Sequence, residues 1–238
     1  MQTTSALYKT ILAGDHIVEP FVYIKDTDGT DRSVRNSALV SVEITEGCFD
    51  KTFGIGNAVS SEIHLQMLNP TWIPARMARM MVYYRIKNAT QTSEWLRKGI
   101  FYIDTRERTK SLYGDDILDI HGYDGMLMSE QMYAEVTWTT KKDWEVLQEI
   151  CSKLGWSLNS ETLTYIQTLT TVNIKTPFGF TYREVLQSIA GIRAGNFVMD
   201  EYGRLKLIPL TSAPAETFYL ITPQGNTIKI GGDRIVLQ

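Results

Sequence analysis

The chain has 238 residues, enough for one large domain or two small ones. With 43% hydrophobic and 21% charged residues and a formal charge of −3, it has an ordinary globular composition, which excludes a disordered, collagen-like or coiled-coil chain. It has no run of 18 apolar residues, so no membrane-spanning helix is expected, and its two cysteines are too few for a disulfide framework.

The first 125 residues have the character of strands. Apolar and polar residues alternate in 59–67 and in 39–45, where Val40, Val42 and Ile44 form the apolar side. Six such segments at short spacing, with no long helix between them, predict a small barrel or sandwich. The predicted strands are 17–25, 39–45, 59–67, 80–86, 99–105 and 117–123.

Helical patterns begin after residue 125. A segment that resembles a helix start, 140–143, precedes four apolar residues at helical spacing, and Gly155 follows them as a stop signal. We therefore expect a helix over about 142–154 whose apolar face packs against a sheet. The four residues are Trp144, Leu147, Ile150 and Cys151.

A second helix and a hairpin complete this part of the chain. Thr181 and Glu184 have the spacing of a capping box at the start of a helix. Residues 196–199 and 204–209 are typical of a hairpin around the turn 200–203. The sequence thus predicts a mainly β chain in which a β domain, 1–125, is followed by an α+β module, 126–211.

Residues 212–238 again have strand character, after a linker-like start. They are too few to form a domain of their own. Two interpretations stay open. Either they begin a second barrel, and the chain is the front part of a longer protein, or they pair back onto the first barrel.

The sequence offers no catalytic or metal-binding pattern. His16, His64 and His121 fall in separate strand-like segments, without the spacing of metal ligands, so no metal and no cofactor are expected. Cys151 lies on the apolar face of its predicted helix, where a thiol is buried and inert. Without a nucleophile motif or a phosphate-binding loop, the chain is not expected to be an enzyme.

Basic residues are concentrated in one stretch of the sequence. Residues 76–110 hold nine Lys and Arg against three Asp and Glu, a charge of +6, whereas 1–75 carry −4 and 111–238 carry −5. Such a stretch is either a surface that binds polyanions or a set of solvated outward positions on strands, and the second is the more common case.

An ordered series of segments resembles the tail-hub, or baseplate-hub, family of phages and prophages, which includes the N-terminal structural part of tail-associated lysins. The resemblance covers residues 15–210. The segments that carry it are 53–60 before the strand 61–67, then 73–74, 81–85, 93–96, 99–104, 117–124, 126–127, 130–131, 181–186, 189–190, 195–197 and 203–207.

The resemblance implies a structural protein of the virion tail, assembled in the host cytoplasm. Members of this family form a trimeric ring of tube-type β-barrels that continues the tail tube and meets other tail proteins, such as the distal tail and tape-measure proteins. DNA passes through that ring without sequence-specific binding. A full hub has two barrels, and only one is evident here.

The charge distribution predicts how copies of the chain meet. In a ring, the acidic surface of one copy would face the basic surface of the next. We expect five basic and aromatic residues to lie in this contact. Two alternatives stay open: a β-barrel that binds single-stranded nucleic acid through the basic stretch 76–110, with Tyr83 and Tyr84 as stacking residues, and the non-catalytic part of a cell-wall hydrolase. The predicted interface residues are Arg76, Arg79, Arg85, Tyr83 and Tyr84.

Overall fold

The computed structural model describes residues 3–35, 38–47, 54–110, 114–134 and 136–210, and the backbone of four short strands after residue 217. Within these ranges no helix is long and apolar enough to cross a membrane. The helices are α1 (Ala6–Leu12), α2 (Asp143–Leu154), α3 (Ser160–Thr168) and α4 (Tyr182–Ile192), with a 3-10 helix at Gly125–Glu130.

Seven antiparallel strands form one large sheet, in the order β2-β1-β5-β6-β7-β4-β3. The mainly β fold class is confirmed, and all six predicted strands are present. A seventh, β2, was not predicted. The strands are β1 (Ile17–Lys25), β2 (Asp31–Arg35), β3 (Leu39–Thr45), β4 (Glu62–Leu68), β5 (Arg79–Lys87), β6 (Leu96–Lys110) and β7 (Asp116–Asp124).

The sheet is curled, because its two edge strands are consecutive in sequence. The chain from Arg35, at the end of β2, to Leu39, at the start of β3, has only four Cα-to-Cα distances, so the two residues are at most about 14 Å apart. A flat sheet of seven strands would separate its edges by about 29 Å. The concave face holds a core to which all seven strands contribute, including Ile63, Leu65 and Phe101, each almost fully buried.

One predicted core residue lies outside. Val40 was assigned to the apolar side of its strand, with Val42 and Ile44, but it is 50% exposed. The register of β3 against β4 shifts between Leu39 and Ser41, so Val40 is the extra residue of a bulge. Val42 and Ile44 pack against the core as predicted.

Helix α1 was not predicted. It is only seven residues long, and the Ser5 hydroxyl caps it by accepting a hydrogen bond from the Tyr8 amide at 3.0 Å. Tyr8 and Ile11 pack against Ile86 of β5 and Leu96 of β6, which form a small second core at one end of the sheet.

The α+β part has its own core. The packing of α2 is confirmed: Leu147, Ile150 and Cys151 are buried in this core, and the partly buried Trp144 packs against it. The sheets are β8 (Thr140–Lys142) with β10 (Asn173–Lys175), and β9 (Ser157–Leu158) with β12 (Arg204–Pro209) and β11 (Gly195–Met199). The predicted hairpin is β11–β12.

Two capping predictions had different outcomes. At α4 the Thr181 hydroxyl accepts from the Glu184 amide, and the Glu184 carboxylate accepts from the Thr181 amide at 2.7 Å, as predicted. At α2 the helix begins at Asp143 and the preceding residues form β8, so 140–143 is not a cap. The acidic residue in the third helical position is Glu145, which accepts from the backbone of residue 142.

A segment between β3 and β4 joins the two parts of the chain. Phe197 of β11 donates its amide to the Asn57 carbonyl at 2.8 Å and accepts from the Val59 amide at 2.9 Å. Ala58 is buried in the α+β core. The division between residues 125 and 126 stays a prediction, and this segment crosses it.

In the last part of the chain, β13 (Phe218–Tyr219) pairs with β16 (Val236–Leu237), and β14 (Lys229–Ile230) pairs with β15 (Asp233–Arg234). The rest of 212–238 lies outside the described residues, and so does Cys48. Both interpretations of this segment therefore stay predictions.

Candidate interaction surface

Arginine and aromatic side chains form a row across the convex face of the sheet. The antiparallel registers bring Arg35 of β2 opposite Phe21 of β1, Phe21 opposite Tyr83 of β5, and Tyr83 opposite Arg97 of β6. These four residues make one row across four strands. We call the row, together with Tyr202 and Arg204, the arginine–aromatic band.

Stacking holds the row together. The Arg35 guanidinium carbon lies 4.1 Å from the centre of the Phe21 ring, and that ring is stacked on Tyr83 at 5.7 Å. Arg97 lies 5.3 Å from the centre of the Tyr83 ring and donates from Nη2 to the Tyr83 hydroxyl at 2.9 Å. Planar guanidinium and aromatic groups attract each other in this arrangement, so the row is preorganised.

The β11–β12 hairpin continues the band. Tyr202, 47% exposed at its turn, lies 5.4 Å from the Arg97 guanidinium carbon and 4.9 Å from that of Arg204. The Asp200 carboxylate accepts from the backbone amides of Tyr202 and Arg204 and from Arg204 Nε at 2.7 Å. The carboxylate therefore fixes both the turn and the arginine.

A branch of the band includes Trp95 and Arg85. The Trp95 ring lies 5.6 Å from Phe21, and the Arg85 guanidinium carbon lies 4.4 Å from the centre of the Trp95 ring. Arg85 Nε also donates to Glu19 at 2.8 Å, and this hydrogen bond holds the pKa of Glu19 below its ordinary value. Arg85 is thus fixed by a ring and a carboxylate of its own chain.

The five predicted interface residues do not form one patch. Tyr83 and Arg85 belong to the band and its branch. Tyr84 faces the other side of β5, with its hydroxyl 3.5 Å from that of Tyr8, because neighbouring residues on a strand point to opposite faces. Arg76 is paired with Asp104 at 2.7 Å, and Arg79 lines a small cavity of about 130 Å³ beside Trp156.

Most of the band was not predicted from the sequence. Phe21, Arg35 and Tyr202 lie outside the basic stretch, and only the register of β1 against β2 and β5 brings the first two beside Tyr83. The alternation of each predicted strand indicated which residues face outward. It did not indicate which outward residues lie opposite each other on neighbouring strands.

Positive charge in the band is only partly neutralised. Arg85 and Arg204 have carboxylate partners, whereas Arg35 and Arg97 form no ion pair with the described residues. Arginine, tyrosine and tryptophan carry much of the binding energy at protein interfaces. The band therefore suits a partner that brings carboxylates or other anions.

The other half of the convex face is acidic. The outward positions of β3, β4 and β7 include Glu43, Glu62 and Asp119 and hold no lysine or arginine. Glu107 of β6 lies opposite Asp119 and adds to this surface. We call these four residues the acidic half. One chain thus has a basic and an acidic surface on the same curled sheet.

A cleft of about 450 Å³ lies between the sheet and the β11–β12 hairpin. Its charged lining residues are of both signs, among them Lys98, which is paired with Glu46 at 2.9 Å, and Asp124. Asp124 is buried, which raises its pKa, and it accepts from the Ser61 and Met126 amides. Its hydrogen bonds connect β7 with the start of the α+β part, a structural role.

Two of the three histidines lie together, contrary to the expectation from their sequence positions. His64 of β4 is directly opposite His121 of β7, and both approach Asp119. Burial raises the pKa of Asp119, but hydrogen bonds from Gln66 and His64 outweigh burial and hold that pKa below its ordinary value. His16 lies before β1, with Nδ1 2.8 Å from the Gly14 carbonyl.

No family model and no curated protein matches the chain. Solved structures do. The 43 kDa tail protein of prophage MuSo2 from Shewanella oneidensis has a TM-score of 0.57 at 13% identity, over 85% of this chain and 59% of its own. The tail protein of Neisseria meningitidis MC58 has a TM-score of 0.53 at 12% identity, over 85% and 54%.

This chain therefore spans somewhat more than half the length of these two proteins. At such low identity the comparison concerns the fold. It agrees with the resemblance that the sequence carries, and the chain has the fold of prophage tail proteins.

Proposed function

We propose that this chain is a structural subunit of a phage or prophage tail tip or baseplate hub. The observation that carries the proposal is the fold shared with two prophage tail proteins over 85% of the chain. Copies would form a ring, threefold in our proposal, that continues the tail tube and contacts distal tail and tape-measure proteins. DNA would pass through the ring without sequence-specific binding.

The curled sheet suits the wall of such a ring. Its apolar core is enclosed on the concave side, so a tube-type barrel could present its convex face to neighbours. A ring contact joins two unlike surfaces of successive copies. The arginine–aromatic band and the acidic half are unlike surfaces of opposite charge, and their attraction would steer the copies together.

Association measured by light scattering tests the ring. We expect a concentrated sample at low salt to shift toward a trimer, and the shift to shrink as salt screens the charges. Arg35→Glu should weaken association, since Arg35 is exposed and has no ion pair to lose within the described part of its chain. Lys175→Glu, an exposed charge reversal on β10, is the matched control.

Two results would overturn the proposal. One is an image of the assembled tail in which this chain lies away from the tube axis without contacting its own copies. The other is the absence of any trimer at high concentration and low salt; equal association of the Arg35→Glu and Lys175→Glu proteins would instead show that the band is not the ring contact.

The same band favours a second candidate, binding of single-stranded nucleic acid. Bases stack on aromatic rings, and arginines track the phosphates. The acidic half weighs against this candidate. Titration of a labelled oligothymidine at two salt concentrations separates the two candidates. Tight binding that weakens at higher salt, and that Tyr83→Ala also weakens, would favour the nucleic-acid candidate.

A further inference from the structure

We propose that His64, Asp119 and His121 form a binding site for one divalent transition-metal ion of the zinc type, on the convex face of β4 and β7. The site is separate from the arginine–aromatic band and from the proposed ring contact of that band.

Three ligand atoms converge at this position. Asp119 Oδ1 lies 2.6 Å from His64 Nε2 and 3.4 Å from His121 Nε2, and no two of the three ligand atoms are more than 4.8 Å apart. Zinc binds imidazole nitrogen and carboxylate oxygen at about 2.0–2.2 Å, so tetrahedral ligand atoms lie about 3.4 Å from one another. In the proposed site the two rings turn about their side-chain bonds to bring the three atoms to that spacing around one ion.

The strand pairing places the two imidazoles beside each other. His64 and His121 are paired directly across β4 and β7, and their rings are stacked at 4.2 Å with an angle of 8° between the planes. Asp119 is two residues from His121 on the same strand and therefore on the same face. The ligands stand on neighbouring strands of a sheet, so binding needs no ordering of a loop.

A second layer of hydrogen bonds orients the carboxylate. Gln66 Nε2 donates to Asp119 Oδ2 at 2.9 Å, and Gln66 Oε1 accepts from the Ser41 hydroxyl at 3.2 Å. Oδ2 is thereby occupied, and Oδ1 remains directed at the histidines. Metal ligands are characteristically fixed by such outer partners.

The charge around the site favours a cation. Glu43 lies opposite His64 on β3, and Glu107 lies opposite Asp119 on β6. Neither has an ion-pair partner among the described residues, and no lysine or arginine occupies an outward position of β3, β4 or β7. Water completes the coordination beyond these three ligands. Imidazole with carboxylate suits zinc, cobalt and nickel better than magnesium or calcium.

Titration of the untagged, EDTA-treated chain tests the site. We expect one Zn²⁺ per chain by calorimetry, and with Co²⁺ the visible absorption bands of a four- or five-coordinate ion. His64→Gln and His121→Gln should each weaken binding more than about tenfold, since even outer-shell partners cost roughly 10–100-fold. His16→Gln removes a histidine outside the cluster and should leave the affinity unchanged.

Thermal unfolding without metal separates loss of the site from loss of the fold. The cluster variants should melt near the wild-type temperature in EDTA, and added Zn²⁺ should raise the melting temperature of the wild type and of His16→Gln only. The proposal is wrong if the wild type binds less than one equivalent at millimolar Zn²⁺, or if folded cluster variants and His16→Gln bind equally well.

Discussion

The ion pair of Asp143 and Arg193 ties the first residue of α2 to the end of α4. Arg193 Nε donates to Asp143 Oδ2 at 2.6 Å, and Nη1 donates to the Thr170 carbonyl at 3.0 Å. Asp143 is fully buried and Arg193 is 6% exposed. Removing one partner of such a pair leaves a charge without compensation, which is strongly destabilising.

Arg193→Met should therefore lower the free energy of unfolding by about 3–5 kcal/mol, measured by urea denaturation. Arg76→Met, which breaks the exposed pair with Asp104, is the control and should cost about 1 kcal/mol or less. The double variant Asp143→Leu, Arg193→Met should lose less than Arg193→Met alone. Equal losses in the two single variants would contradict this role of the buried pair.

At the scale of elements, Glu149 fastens α2 to the segment before it. Its Oε2 accepts from Trp138 Nε1 at 3.0 Å and from Lys141 Nζ. Burial raises the pKa of Glu149, but the hydrogen bond and charge of Lys141 outweigh burial, so the pKa is held below its ordinary value of 4.5. Folding thus favours the ionised form of this carboxyl group.

The direction of this pKa shift determines how stability depends on pH. The contribution of Glu149 is present above about pH 4.5, its pKa in the unfolded chain, and is lost as the pH falls through the lower pKa of the folded state. Glu149→Gln should lower the melting temperature at pH 7. It should also make the fall in melting temperature between pH 7 and pH 3 smaller than in the wild type. Glu161→Gln, at an exposed position of α3, should have neither effect, and matching curves for both variants would refute the assignment.

Elements could be predicted where a local pattern decides the structure. The alternation in β4 and the Thr181–Glu184 capping box are both local, and both predictions are confirmed. The bulge at Val40 depends on the partner strand, and α1 is too short to show a repeating apolar face. Those features could not be read from neighbouring residues alone.

Candidate sites depend even more on long-range pairing. Phe21 and Tyr83 lie opposite each other only because β1 pairs with β5, and His64 meets His121 only through the β4–β7 register. Residue types indicated a basic stretch and scattered histidines, but the register that brings partners together is set by the whole sheet.

At the scale of the whole molecule, Asn196 fastens the segment before β4 to the α+β part. Its side chain accepts from the Asn57 amide at 2.9 Å and donates to the Gly54 carbonyl at 2.8 Å, and it is almost fully buried. Because Asn196 is buried and its two backbone partners are half-buried, losing these bonds leaves polar backbone groups poorly satisfied.

Asn196→Ala should destabilise the protein by about 2 kcal/mol, within the usual range for buried groups left without partners. We also expect it to reduce cooperativity: the wild type should unfold in one calorimetric transition, and the variant in a broadened or divided one. Asn173→Ala, at an exposed position on β10, is the control. A sharp, unshifted transition in Asn196→Ala would show that the segment does not couple the two cores.

The chain leaves the sheet after β3, pairs in parallel with β11 around Ala58, and returns to the sheet as β4. A force that pulls the α+β part away from the sheet would therefore act on two hydrogen bonds at once, those of Phe197 with Asn57 and with Val59. It would also have to remove Ala58 from the α+β core. Force applied to one part is transmitted to the other through a segment that continues directly into β4 of the sheet. The molecule should respond to mechanical load as a single stiff body, without a hinge at this junction.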